Sequence, residues 1–119
     1  NDTITAGSGI DSLDYSRATN RVIVSLVDLT ATGQGTDTFT GIEDVIGSNY
    51  NDTISGDGND NVLNGRSGND SLSGLGGADS LIGGAGRDAM NGGAGDDTCA
   101  GGSGSPDTGT SCETETGIP

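Results

Sequence analysis

Asp52, Asp70 and Asp88 stand 18 residues apart, and Asn61, Asp79 and Asp97 repeat that spacing half a period later. Carboxylates at a fixed interval do chemistry only if the chain brings them together. A chain that completed one turn every 18 residues would stack each set in a column, with neighbours about 4.8 Å apart, the spacing of paired strands. Two carboxylates at that distance repel unless a cation lies between them, and glycine carbonyls around them make the surroundings all-oxygen. Ca²⁺ takes about six to eight oxygens at about 2.3–2.6 Å and tolerates irregular geometry, whereas Mg²⁺ demands a strict octahedron and keeps its waters. Zinc lacks its usual partners, since there is no His and the two Cys lie together near one end.

The elements that must position these residues follow from a strict period. Val45, Ile54, Leu63, Leu72, Leu81, Met90 and Cys99 are each nine residues after the last. Asp52, Asp70, Asp79, Asp88 and Asp97 stand two positions before an apolar residue of this series, with Asn61 and Glu43 in the same slot. Units open with Gly47, Gly56, Gly65, Gly74, Gly83, Gly92 and Gly101, and a fourth-position glycine recurs at Gly68, Gly77, Gly86 and Gly95. Asp2 with Ile4, and Asp11 with Leu13, keep the same phase at the N-terminus. A disordered glycine-rich linker holds no apolar residue in register. The pattern predicts a coil in which about six glycine-rich residues turn and a triplet such as Asp-Ser-Leu extends, its large apolar residue inward and its polar neighbours outward. Two units make one turn, and alternate triplets stack into two parallel sheets.

The composition of this 119-residue chain points the other way until a cation is added. Hydrophobic residues are 29%, glycines number 24, and the net charge is −14 from fifteen Asp and three Glu against four Arg. Such a chain resembles an acidic disordered segment. One buried Leu per nine ordered residues does not offset the conformational entropy lost, and stacking the Asp columns adds repulsion. Nucleic acid is excluded as a partner by charge, and no apolar run reaches the length of a membrane helix.

The units GGAGRDAMN (83–91) and GGAGDDTCA (92–100) resemble the nonapeptide GGxGxDxUx of the RTX (repeats-in-toxin) proteins, tightly over residues 41–104 and partially over 1–14. The resemblance implies an all-β fold, a right-handed parallel β-roll (β-solenoid), with several Ca²⁺ ions held between successive loops on each edge. It implies one ion among Arg66, Gly68 and Asp70 below and Gly83, Ala85 and Asp88 above. A second would use Leu75, Gly77 and Asp79 with Gly92, Ala94 and Asp97. A third would use Ser48, Tyr50 and Asp52 with Gly65, Ser67 and Asp70. Gly74, Gly76, Gly84 and Gly86 lie in the same loops, and Asp2 and Asp11 are the candidates in the partial repeats. The unit GDGNDNVLN (56–64) departs from the pattern, with Asn61 sixth; either Asp57 or Asp60 compensates or the site is weak. The unit from Gly101 carries an insertion, which leaves Asp107 as a further candidate.

The expected organisation is a single β-roll domain. Partial repeats occupy 1–14, an elaborated strand and loop insert 15–46, regular repeats 47–104 and a C-terminal cap 105–119. Within the insert, residues 21–29 read as one longer strand rich in β-branched residues, and residues 30–41 as a polar loop returning to the coil; a packing role outweighs a ligand-binding one. Cys99 and Cys112 read as a disulfide clasping the C-terminal end, with two free thiols as the alternative. The chain begins mid-repeat without Met or a signal peptide, so an excised piece, an upstream domain or end-to-end packing with another copy is expected. Catalysis is not expected, because there is no His or Lys and the period accounts for the paired carboxylates as ion ligands. RTX proteins often carry an enzyme that such a module would accompany. The leading expectation is a secreted or cell-surface Ca²⁺-binding module that folds on binding calcium. A structural subunit of a self-assembling fibre, adhesin or surface layer is the alternative. An ice-binding face is disfavoured because the nonapeptide units carry no continuing Thr ladder.

Overall fold

The computed structural model describes residues 1–104 and 106–117. Of the expected cap over 105–119, Ser105, Ile118 and Pro119 lie outside the described residues. The chain winds as a flattened coil of short strands, and alternate strands fall into two sheets. One sheet takes β1 (Thr3–Thr5), β5 (Thr36–Thr40), β4 (Thr30–Thr32), β3 (Ile23–Ser25), β7 (Thr53–Ser55), β9 (Ser71–Gly76), β11 (Ala89–Ala94) and β13 (Thr108–Thr110), in that spatial order. The other takes β14 (Thr114–Thr116), β12 (Thr98–Ser103), β10 (Ser80–Ala85), β8 (Val62–Asn64), β6 (Asp44–Ile46) and β2 (Ser12–Asp14). This is the parallel β-solenoid that the nine-residue period predicts.

Register shows why the period works. Ile54 pairs with Leu72, and Leu72 with Met90, in one sheet. Val45, Leu63, Leu81 and Cys99 form the facing column in the other. Each of these seven side chains is at most 2% exposed. The core is thus two facing columns of single side chains, and the residues flanking each one alternate outward as a strand requires. No helix among the described residues is long and apolar enough to cross a membrane.

Three expectations need correction. The triplet holds at β7 and β8, three residues each, but is too short for the later units: β9 to β12 each run six residues. They lengthen because the opening loop residues also pair from rung to rung, as Gly84 does with Gly102 and Ala85 with Ser103. Residues 21–29 are not one long strand. Val22, Val24 and Leu26 are buried and Ile23 is 42% exposed, so period-2 alternation holds, but the chain then reverses. The Ser25 hydroxyl donates to Asp28 Oδ2 at 2.7 Å and accepts the Asp28 N–H at 3.1 Å, and Leu29 takes φ 56°. The third correction concerns residues 30–41, which are not a loop. They carry β4 and all of β5, so an antiparallel β3–β4–β5 segment is spliced into an otherwise parallel sheet.

The C-terminal rung differs in its inward positions. Gly109 pairs with Met90 and Glu115 with Cys99, so no large apolar side chain continues either column. Cys99 is disulfide-bonded to Cys112, which packs against the end of the core.

Candidate metal centres

Each column aspartate lies where a loop enters a strand, so the stack brings its backbone N–H beside the next carboxylate of the same edge. On one edge the N–H groups of Asp52, Asp70 and Asp88 donate to Oδ1 of Asp70, Asp88 and Asp107 at 2.7, 2.8 and 2.8 Å. On the other, Asn61 and Asp79 donate to Oδ1 of Asp79 and Asp97 at 2.9 and 2.8 Å. One oxygen of each acceptor therefore builds the ladder. The second does not: Oδ2 of Asp70, Asp79, Asp88 and Asp97 is buried with no hydrogen-bond partner. A buried carboxylate oxygen without a donor is costly, and four of them at the two edges mark where a positive group fits.

Glycine keeps this space open. A Cβ on Gly83 would lie 2.5 Å from Asp88 Oδ2, and one on Gly74 would strike both Asp79 Oδ2 and the Gly92 carbonyl. Oδ2 thus reaches over the first glycine of its own unit, into space that any side chain there would fill. The second and fourth loop positions are left-handed: φ is 74° at Arg66, 76° at Leu75 and 103° at Gly84, then 124° at Gly68, 97° at Gly77 and 140° at Gly86. Successive loops are tied by the Ala85 N–H to the Arg66 carbonyl at 2.8 Å, Gly68 N–H to the Ala85 carbonyl at 2.9 Å, and Gly77 N–H to the Ala94 carbonyl at 3.0 Å. Each of these carbonyls has a second lone pair. Among the described residues no three carboxylates or thiols gather into one metal-binding group; each cage is a carboxylate pair among carbonyls, a donor set suited to a hard cation.

Burial sets the electrostatics. Asp70 is pushed up to about 7, chiefly by loss of water and further by repulsion from Asp52 and Asp88, against the lowering effect of the Asp52 N–H. Asp79 and Asp88 are raised, again chiefly by burial, with repulsion from Asp97 in one case and Asp107 in the other. The fold and the ionised carboxylates are in conflict until something neutralises them.

The sequence candidates are not equivalent. Asp52 has both oxygens engaged: Oδ1 accepts the Val22 N–H at 2.8 Å and the Ser48 hydroxyl at 2.7 Å, and Oδ2 accepts the Ser48 N–H at 2.5 Å. The cage of Ser48, Tyr50, Gly65 and Ser67 therefore has one free carboxylate oxygen, that of Asp70. Asn61 accepts the Asp57 N–H and donates to the Glu43 carbonyl. Asp57 accepts from Asn59, and Asp60 accepts the Ala78 N–H at 2.7 Å, so both carboxylates already have partners along the loops. At the N-terminus, Asp2 donates its N–H to Asp37 Oδ1 at 2.9 Å, and Asp11 Oδ2 is buried and unpartnered. Asp37 is a column residue that the spacing conceals, since it lies 35 positions from its partner; its Asp-Thr-Phe triplet is the signal that could have exposed it. Val22 is another surprise: completely buried, it stands beneath Asp52 in an aspartate's place, because the hairpin interrupts the column.

A family model for the RTX calcium-binding nonapeptide repeat, in four copies, matches residues 1–14, 37–72 and 73–106. The unmatched stretch between 14 and 37 holds β3 and β4, the segment that departs from the parallel stack. A search of curated proteins returned no match. With well over half of its length matched, and with the solenoid and edge columns that such repeats require, the chain belongs to the RTX calcium-binding nonapeptide repeat family.

Proposed function

We propose that this chain is an extracellular calcium-binding module that stays largely unfolded without the ion and folds when calcium enters the edge cages. The observation that carries this reading is the pairing of buried, unpartnered Oδ2 atoms one rung apart, Asp70 with Asp88 on one edge and Asp79 with Asp97 on the other. The first ion is assigned to these aspartates with carbonyls of Arg66, Gly68, Gly83 and Ala85. The second is assigned to its pair with carbonyls of Leu75, Gly77, Gly92 and Ala94. Bound calcium supplies positive charge where the fold has concentrated negative charge. The chain's own contribution is to orient one oxygen of each carboxylate by a backbone N–H and to leave the other facing the loops.

The Asp52 rung is assigned a weaker site or none, since the Ser48 hydroxyl and N–H already satisfy that carboxylate. Calcium is scarce in the cytosol and reaches millimolar levels outside cells, in the range of extracellular calcium modules. Binding to the folded state alone then shifts the chain from unfolded to folded on export. The disulfide accords with an oxidising compartment. An RTX β-roll is a structural calcium-binding fold, and an attached enzyme in a longer protein would be its partner.

Circular dichroism with sizing, in chelator and then through a calcium titration, tests the reading. A cooperative passage from coil to β as a monomer is expected. A chain that is folded in chelator and unmoved by calcium would overturn it, and growth beyond a monomer would favour the fibre.

A further inference from the structure

Two loops on the edge of the six-stranded sheet are shorter than the nonapeptide allows. Gly41-Ile42-Glu43 lies over the loop that ends at Asp11, and Ser111-Cys112-Glu113 lies over the loop from Gly92 to Asp97. They are built alike. The first residue of each is left-handed, with φ 71° at Gly41 and 51° at Ser111. The second faces the core: Ile42 is 8% exposed, and Cys112 packs against the core's end. The third is a Glu whose Oε2 accepts the N–H of the aspartate below, at 2.9 Å from Asp11 and 2.5 Å from Asp97. Each aspartate carbonyl accepts two N–H groups, from Glu43 and Asp44 at 3.0 and 3.1 Å and from Glu113 and Thr114 at 3.0 and 3.1 Å. The extra methylene of Glu restores the reach lost with the missing loop residues.

The C-terminal member has a cage. Asp97 is 1% exposed and its Oδ2 is unpartnered. A Cβ built on Gly92 would lie 2.5 Å from that oxygen and would also strike the Ser111 carbonyl, so the two oxygens converge on one point. In the rung below, Asp79 Oδ2 and the Gly92 carbonyl converge in the same way over Gly74. Ser111 thus takes the place of a repeat glycine although residues 111–113 lie beyond the repeats matched by the family model, which end at 106. The two loops differ in their anchors. Ile42 is held by its own apolar bulk, whereas Cys112 is small and is bonded to Cys99. Ser111 also holds a backbone conformation that disfavours a residue with a side chain, so the loop needs that tether.

We propose that Ser111-Cys112-Glu113 closes a further divalent-cation site over Asp97, a site outside the nonapeptide pattern that exists only while Cys99 and Cys112 are bonded. Its ligands are Asp97, Glu113 and the Ser111 carbonyl. The short loop offers fewer protein oxygens than a regular one, so the ion there keeps more water and binds more weakly than in the regular cages. This rests on the calcium-module reading, and the test separates the two.

Calcium is titrated calorimetrically into the intact protein, into protein reduced with a phosphine, and into Glu113→Gln and Asp88→Asn variants. The disulfide takes two electrons from the phosphine, which leaves as its oxide, and two protons from water. Glu113→Gln keeps the disulfide and an oxygen to accept the Asp97 N–H, so it reads the charge and not the fold. One ion fewer is expected after reduction, one fewer for oxidised Glu113→Gln, and no further loss when that variant is reduced. The lost site should be the weakest in the titration. An unchanged stoichiometry for Glu113→Gln overturns the proposal if Asp88→Asn loses an ion. If Asp88→Asn also loses none, the regular cages themselves fail. Reduction that removes an ion while Glu113→Gln removes none also overturns it, since the effect would then be on the rung and not on this site.

Discussion

Replacing Asp70 with Asn should act in opposite directions with and without calcium. The Asn carbonyl oxygen can still accept the Asp52 N–H, which the native carboxylate does at 2.7 Å, so the ladder survives. What changes is Oδ2, buried and unpartnered in the native chain. An Asp held at about 7 instead of 3.8 costs the ionised fold about 4 kcal/mol above pH 7. In chelator at pH 8, Asp70→Asn should therefore stabilise the fold by up to about 4 kcal/mol, and β content should rise. In calcium, the same substitution takes one of two charges from the cage below and from the cage above. Removing one partner of a buried charge pair costs about 3–5 kcal/mol, so the calcium midpoint should rise by about 10²-fold or more. Far-ultraviolet circular dichroism across a calcium series at pH 8 reads both effects. Loss of β content in chelator would refute the reasoning, because it would make the carboxylate a structural asset of the calcium-free fold. A calcium midpoint equal to that of the native chain would refute it equally.

The calcium-free chain should hold more β structure in acid than in base. Asp70, Asp79 and Asp88 are raised in the fold, so between 3.8 and about 7 the folded state binds more protons than the unfolded one. Their contribution is least unfavourable at low pH and worsens as pH rises through 7, so in chelator β content at pH 5 should exceed that at pH 8. Gly83→Ala should weaken calcium binding, since its Cβ would sit 2.5 Å from Asp88 Oδ2. Gly58→Ala, with nothing within 4 Å and an ordinary φ, should leave affinity unchanged and add about 0.4–1 kcal/mol of stability. Leu72→Ala, at a position 1% exposed, should cost about 2–5 kcal/mol in calcium-saturated denaturation, without removing an ion from the titration.

Periodicity was enough to say which repeating residues face inward and which share an edge. Seven apolar residues in phase required two inward columns, and parity required that Asp70 and Asp88 share one edge while Asp79 and Asp97 share the other. A solenoid turns a constant separation along the chain into a constant displacement in space, so spacing alone is enough. Tertiary structure decided what happens where the separation changes. Val22 and Asp52 are 30 residues apart, and only the β3–β4 hairpin brings a valine to a place where the pattern expects an aspartate. Asp37 reaches Asp2 across 35 residues, a distance that no repeat length suggests. The state of each oxygen was equally hidden. Asp52 and Asp88 are the same residue in the same slot, yet Oδ2 accepts the Ser48 N–H in the first and has no partner in the second. Glu113 supplies its column through a shortened loop held by Cys112, and a longer side chain makes up for missing backbone there. These outcomes depend on hydrogen bonds and reach between particular atoms, quantities that periodicity does not encode.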